Sequence, residues 1–235
     1  MSGVYIISAP SGSGKSTLVN QVRLIVPGLK FSISYTTRAP RAGEQNGREY
    51  YFVPRNEFED MVGKNEFLEY ADVFGNYYGT ARRFLREAEE EGKDLLLDID
   101  VQGAAQIKRK IADAVSIFIL PPNRQELEKR LRTRSLDAEE VIQRRLVTAS
   151  REIENYDKYD YILVNDRLEE SIDALKSILL AERLTRRGAQ EQKQRSADDT
   201  DLMAKAERCR LKNVRERLQP ILASFEKKVA APGGR

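Results

Sequence analysis

With 235 residues, 40% of them hydrophobic, the chain is long enough for one cored domain with insertions. It has no histidine and a single cysteine, Cys209, which excludes Ser-His-Asp and Cys-His catalysis, histidine metal sites and any intrachain disulfide. The net charge of +3 is uneven: residues from Arg183 onward hold 14 basic and 7 acidic side chains, so the basic surplus belongs to the C-terminal tail and the remainder is acidic.

In chain order, the apolar run Val4–Ser8 predicts a strand. It leads into Ala9-Pro10-Ser11-Gly12-Ser13-Gly14-Lys15-Ser16-Thr17 and then a helical pattern, Leu18 to Val26, closed by Pro27-Gly28. Strand, glycine loop, Lys-Ser and helix form the context a phosphate-binding loop needs. Backbone N–H groups of such a loop cradle phosphates, and the helix dipole adds to the attraction. Lys15 then reaches the β- and γ-phosphates, and the Ser16 hydroxyl ligates Mg²⁺. Ala9 stands where the motif usually has its first glycine, a departure of one methyl group.

Further along, Phe31–Tyr35 and Glu49–Val53 predict strands around a polar turn rich in Gly and Arg. Asn56–Gly63 predicts a short helix capped by Asn56, Phe67–Phe74 an extended segment, and Gly75-Asn76 a turn. Ala81–Glu91 reads as helix. Asp94–Ile99, with Leu95-Leu96-Leu97, and Val115–Leu120 read as buried parallel strands on either side of a helix, Gln102–Ile111. After Pro121-Pro122 come helices Arg124–Arg132 and Ala138–Tyr156 around a short Arg-rich turn, then a strand Tyr161–Val164 and a helix Leu168–Arg187. Strands alternating with helices predict an α/β fold: a P-loop NTPase-type parallel sheet with helices on both faces. The segment from about Phe31 to Thr80 breaks the alternation and reads as an inserted strand-rich substrate module.

Residues 188–200 carry no apolar side chain larger than alanine and read as a linker. Residues 201–235 form a basic extension, with an amphipathic helix over Asp201–Lys228 bent or interrupted at Pro220 and a disordered end. This helix is expected to be solvated or self-packed rather than to bind nucleic acid. With no long apolar stretch and no signal-peptide pattern, the chain is expected to be soluble and cytoplasmic, without membrane or nucleic-acid partners; a homo-oligomer is left open.

A second cluster, Ser34-Tyr35-Thr36-Thr37-Arg38-Ala39-Pro40-Arg41, sets hydroxyls beside two arginines. Guanidinium groups fork onto phosphate oxygens, so Arg38 and Arg41 suit a phosphomonoester. Asp98 and Asp100 alternate onto one face at the end of a predicted parallel strand, where ligands bind; helix capping is the other reading of this pair. Together with the loop, the ordered blocks SAPSGSGKST, SYTTRAPRAGE, EFLEYADVFGNYYGT, LLLDIDVQGA, IFILPP and YILVND, from about Val4 to Arg187, resemble the guanylate kinase family.

The resemblance implies the reaction ATP + GMP → ADP + GDP, with Mg²⁺. It divides residues 1–187 into a core (1–30, 81–122, 151–187), a GMP-binding module (31–80) and a mobile helical lid (123–150). It implies ATP contacts from Ala9, Pro10, Ser11, Gly12, Ser13, Gly14, Lys15, Ser16 and Thr17, and from Asn165 and Asp166 at the adenine. GMP would meet Ser34, Arg38, Arg41, Tyr50, Glu69, Tyr78, Thr80 and Asp100. Lys15, Arg38, Arg134 and Arg145 would be catalytic. Ser16, and Asp98 through water, would hold Mg²⁺, with the division between Asp98 and Asp100 left open. A Glu69 carboxylate can accept from guanine N1–H and N2–H₂ while Ser34 and Thr80 donate to O6; adenine lacks the N1–H donor. Another nucleoside- or sugar-monophosphate kinase, or a non-catalytic guanylate-kinase-like binding module, remains as an alternative.

Overall fold

The computed structural model describes residues 2–73, 75–134, 138–186 and 196–226. In chain order these give β1 (Val4–Ser8), α1 (Lys15–Ile25), β2 (Leu29–Phe31), β3 (Tyr35–Thr36), β4 (Tyr51–Phe52), α2 (Arg55–Gly63), β5 (Phe67–Val73), β6 (Asn76–Ala81), α3 (Arg83–Glu90), β7 (Asp94–Asp98), α4 (Val101–Lys110) and β8 (Val115–Leu120). Then follow α5 (Arg124–Arg134), α6 (Glu139–Ile153), β9 (Tyr161–Val164), α7 (Leu168–Arg186), α8 (Ala197–Arg208) and α9 (Leu211–Phe225).

Five strands form one parallel sheet in the order β2-β7-β1-β8-β9. Its central strands are near-continuous apolar runs because both faces are covered. Strand alternation sorts them. Val4, Ile6, Leu95, Leu97, Phe118 and Leu120 bury against α3, α4, α5, α6 and α9. Tyr5, Ile7, Leu96, Ile117 and Ile119 bury against α1, α7 and α8. Each fully buried Leu or Ile contributes about 1.5–3 kcal/mol, so this two-faced core is the main source of stability.

A second sheet, β4-β3-β6-β5, carries the inserted module. Its far side closes on a small core of Phe58, Met61 and Phe67, with Phe58 stacked on Phe67 at 4.4 Å and on Tyr77 at 5.3 Å. Several elements depart from the sequence reading here. The expected strand Phe31–Tyr35 divides: β2 joins the main sheet and β3 the second, with residues 32–34 crossing between them. The segment after Gly75 is a strand, β6, because it pairs antiparallel with β5 from Asn76 to Ala81. Helix α2 starts at Arg55, with Pro54 rather than Asn56 in the cap position; its φ of −65° is the angle proline already prefers.

The tail differs most. It packs on the body of the fold as well as on itself: α8 lies along α7, and α9 lies against α5, β9 and α8. A capping box at Ser196 and Asp199 starts α8, so 197–200 are helical rather than linker, while 187–195 lie outside the described residues. The break falls at Cys209-Arg210, not at Pro220, which sits inside α9. There the backbone turns aside to pair with the sheet edge: Ile162 N–H donates to Cys209 O at 2.8 Å, and Leu211 N–H to Asp160 O at 3.1 Å. An uncovered edge strand exposes unpaired backbone groups, and this contact closes part of one. Phe74, residues 135–137 of the turn expected between α5 and α6, and the C-terminal residues 227–235 also lie outside the described residues.

Candidate active site

The glycine loop leaves the carboxyl end of β1 and wraps into α1. Gly12 and Gly14 hold φ of +92° and +88°, which side-chain-bearing residues rarely adopt. A Cβ on Gly14 would stand 2.3 Å from Asn165 Nδ2, and one on Gly12 would stand 2.9 Å from Leu131 and 3.0 Å from Leu127. Ala9 is not strained; its methyl packs against the core face that holds α1 and α7. Among the described residues, no side chain caps Gly14 and no acid occupies the first turn of α1. That leaves an N-terminus suited to an anion.

Asn165 braces the loop. It is buried, its Nδ2 donates to Ser13 O at 2.7 Å, and its own carbonyl accepts from Arg130 Nη1 at 3.0 Å. Asp166 is exposed. Strand register puts Asp98 opposite Ile7, and its carboxylate pairs with the Lys15 ammonium beside the loop. Burial works against the Lys15 charge, but Asp98 more than offsets it and holds the group above the ordinary lysine value. Ser16 and Thr17 face outward at the start of α1.

The inserted module brings its own cluster. Arg38 donates from Nη2 to both Glu44 carboxylate oxygens at 2.9 Å and from Nε to Tyr78 OH at 3.2 Å. The Glu44 carboxylate also accepts the Arg41 backbone N–H at 2.7 Å, leaving the Arg41 side chain exposed. Tyr50 meets Tyr78 edge-on at 5.8 Å. Burial first, then Asp98, push the Tyr50 hydroxyl pKa upward, while Lys15 and Arg38 oppose this, so the tyrosine sits between the arginine cluster and the loop.

Glu69 is 3% exposed. A shift of register between Phe67 and Glu69 lets Leu68 and Glu69, neighbours in sequence, both turn inward. Thr80 Oγ1 donates to Glu69 Oε1 at 2.6 Å, which ties this hydroxyl to the carboxylate. Burial pushes the Glu69 carboxyl up to about 7, with Asp100 adding to the rise and Thr80 and Lys110 opposing it. Asp100 caps α4, its Oδ1 accepting the Gly103 N–H at 2.8 Å; its Oδ2 accepts from Gln102 Nε2 at 3.2 Å. The capping reading therefore holds for Asp100 and not for Asp98. Ser34 is half-buried, and its carbonyl accepts from Tyr51 N–H at 2.9 Å.

The guanylate kinase family model matches residues 1–182. The chain belongs to the guanylate kinase family. It is 58% identical to a guanylate kinase of Koribacter versatilis over 230 residues, covering 96% of this chain and 97% of that relative. It is 52% identical to one from Geobacter metallireducens, covering 77% of this chain and 89% of the relative. In three dimensions it matches a crystal structure of guanylate kinase from Anaplasma phagocytophilum with a TM-score of 0.65 and 37% identity, covering 77% and 86% of the two chains.

Of the residues expected from the guanylate kinase resemblance, the structure brings Lys15 and Asp98 together at the loop, with Tyr50 nearby, and Arg38 with Tyr78. It brings Glu69 and Thr80 together beside Asp100. Arg145 is half-buried on α6. Arg134 ends α5, and its side chain lies outside the described residues.

Two residues were not singled out. Glu44 lies in the polar turn three residues after Arg41, the spacing of a tight turn, and its backbone N–H donates to Arg41 O at 3.1 Å. Glu152 sits on α6 with Oε2 buried and without a hydrogen-bond partner. Burial pushes its carboxyl up to about 7, opposed by Lys15 and the Ser11 N–H and reinforced by Asp100. With Asp100, Gln102, Thr148 and Arg151 it lines a cleft of about 270 Å³ next to the loop.

Proposed function

We propose that this chain transfers the γ-phosphoryl group of ATP to GMP, giving ADP and GDP. The observation that carries the reading is the meeting of two clusters: an uncapped glycine loop with Lys15, and a buried carboxylate, Glu69, in a separate module with an Arg-Tyr group. Residues 9–17 with Asn165 and Asp166 take ATP. Ser34, Arg38, Arg41, Tyr50, Glu69, Tyr78, Thr80 and the Oδ2 of Asp100 take GMP. Residues 31–80 then form the GMP module, 123–150 the lid, whose first helix is anchored on the core by Leu127 and Leu131, and 1–30, 81–122 and 151–187 the core.

The acceptor phosphate is anionic at neutral pH, so transfer needs no general base. Positioning and charge neutralisation by Lys15, Arg38, Arg134 and Arg145 do the work. Mg²⁺ fits the donor set. The Ser16 hydroxyl and Asp98 carboxylate are hard oxygen donors at the loop, and among the described residues no cluster of three metal-binding side chains competes. Mg²⁺ keeps several waters and takes the rest of its ligands from substrate phosphates. When bound, it would neutralise phosphate charge. Among the described residues no helix is long and apolar enough to cross a membrane. Our reading places the enzyme in the cytoplasm, in keeping with a lone free cysteine.

A coupled assay of ADP release with GMP, AMP, CMP and UMP tests the assignment. GMP should be favoured over AMP by about 10⁴-fold in kcat/KM, because AMP leaves the buried carboxylate unpaired. Equal rates with AMP and GMP would remove Glu69 from base selection.

The pH dependence follows from Glu69. Its carboxyl titrates at about 7 in the free protein. Guanine donors need the charged form, so GMP binding releases a proton. Affinity should therefore rise as pH increases from 6 to 8 and fall below pH 7 towards tenfold per unit. Calorimetric titration in two buffers of different ionisation heat measures that proton; a GMP affinity flat from pH 6 to 8 would contradict it.

A further inference from the structure

Helices α8 and α9 lie beyond the span of the family model, yet α9 reaches the glycine loop through α5. At the start of α5, the Arg124 backbone N–H donates to Ser224 Oγ of α9 at 3.1 Å. Ser224 is itself held, its hydroxyl donating to Ile221 O at 2.6 Å. First-turn N–H groups have no acceptor within their own helix, so a hydroxyl from another element satisfies one and pins the helix end. Along α5, Leu127 and Leu131 share a buried cluster with Val214, Leu218 and Phe225.

The same two leucines close on Gly12, where a Cβ would stand within about 3 Å of both. From the next turn face of α5, Arg130 holds the Asn165 carbonyl, and Asn165 holds Ser13. Helix α9 has a firm base of its own: besides the backbone pairing of Cys209 and Leu211 with the β9 edge, Arg210 meets Glu182 at 2.9 Å, and the Tyr161 hydroxyl donates to that carboxylate at 2.5 Å. The principal contacts of α9 are with α5, α8 and β9, not with the elements that carry Arg38, Glu69 and Tyr78.

We propose that α9 positions α5 against the phosphate-binding loop, with Ser224 and Leu218 as positioning residues for the ATP side of the site. The inference rests on the assignment of this loop to ATP. A close-packed contact has no slack, so a shift of α5 alters the loop that Leu127, Leu131 and Asn165 shape.

The test uses the full chain with Ser224→Ala, Ser224→Thr and Leu218→Ala. Affinity for a non-hydrolysable ATP analogue with Mg²⁺ is measured by calorimetry, together with KM for ATP and for GMP and hydrogen exchange of the α5 amides. Ser224→Ala should weaken analogue binding and raise KM for ATP about three- to tenfold. KM for GMP at saturating ATP should stay within about twofold, and the first-turn amides of α5 should exchange faster. Ser224→Thr should restore wild-type values, and Leu218→Ala should shift ATP in the same direction. Lys205→Ala, which removes an α8 pair with Asp173, should change neither substrate.

Unchanged analogue affinity in folded Ser224→Ala overturns the proposal. So does an equal loss for both substrates, which would make α9 a stabilising element alone. Failure of the wild-type protein to bind the analogue would instead overturn the ATP assignment itself. If Leu218→Ala does not fold, the Ser224 pair decides the question.

Discussion

Lys15→Ala should lower kcat by about 10³-fold or more with the fold intact. The ammonium sits beside the glycine loop, paired with Asp98, and that pair is only about one-fifth exposed. Charge that develops on the transferring phosphoryl group is stabilised most by a fixed cation in such a partly dry site. The remaining cations of the site are arginines on other elements, none of which can occupy the Lys15 position. The substitution leaves Asp98 without its partner, but at the carboxyl end of β7 that carboxylate keeps access to water. Circular dichroism and urea unfolding should therefore show a native fold, while single-turnover measurements show the loss in the chemical step. Turnover within tenfold of wild type in a folded variant would sink phosphoryl transfer at this loop.

Glu69→Gln should lower kcat/KM for GMP by about 30- to 10³-fold, on the order of 2–4 kcal/mol. The change keeps size but turns one acceptor oxygen into an NH₂ donor. That donor would meet a guanine donor, replacing a hydrogen bond by repulsion. KM for ATP should change little, since the loop lies outside the β5–β6 pair. The pH signature should change too. An acid whose folded pKa is raised above its unfolded value holds its proton longer in the folded state. Ionisation of Glu69 therefore costs stability progressively from the ordinary glutamate value of 4.5 up to about 7. The variant has nothing to ionise there. Its unfolding free energy should lose less between pH 5 and 8 than the wild-type value, and its GMP affinity should lose the rise from pH 6 to 8. Unchanged GMP kinetics, or equal losses for both nucleotides, would show that Glu69 does not read the base.

What could be read in the chain was what local pattern controls. Val4–Ser8, Val115–Leu120 and Tyr161–Val164 are strands over the residues their apolar runs mark, because a strand buried on both faces must be apolar throughout. The loop from Ala9 to Thr17 is legible because positive φ at Gly12 and Gly14 admits few residues other than glycine. The resemblance then supplied Glu69, Thr80, Arg38 and Tyr78, whose side chains the fold does bring into contact in pairs.

What stayed hidden depends on partners distant in sequence. Strand β6 has no alternation of its own and exists through its ladder with β5. Glu152 reads as one more charge on a polar helix until α6 is laid over the loop and buries one carboxylate oxygen. The tail shows an amphipathic stripe, but a stripe does not say what covers it.

The sequence by itself determined the α/β class, the glycine loop and the family, because each is written in residues adjacent in the chain. The tertiary structure alone decided that Asp98 meets Lys15 while Asp100 caps, that Thr80 donates to Glu69, and that the chain breaks at Cys209-Arg210 to cover β9. The reason is physical: strand register, ion pairing and edge closure are set by which polar groups find partners across the fold, and of the pairs just named the Asp100 cap alone, three residues from Gly103, has both members in one local window.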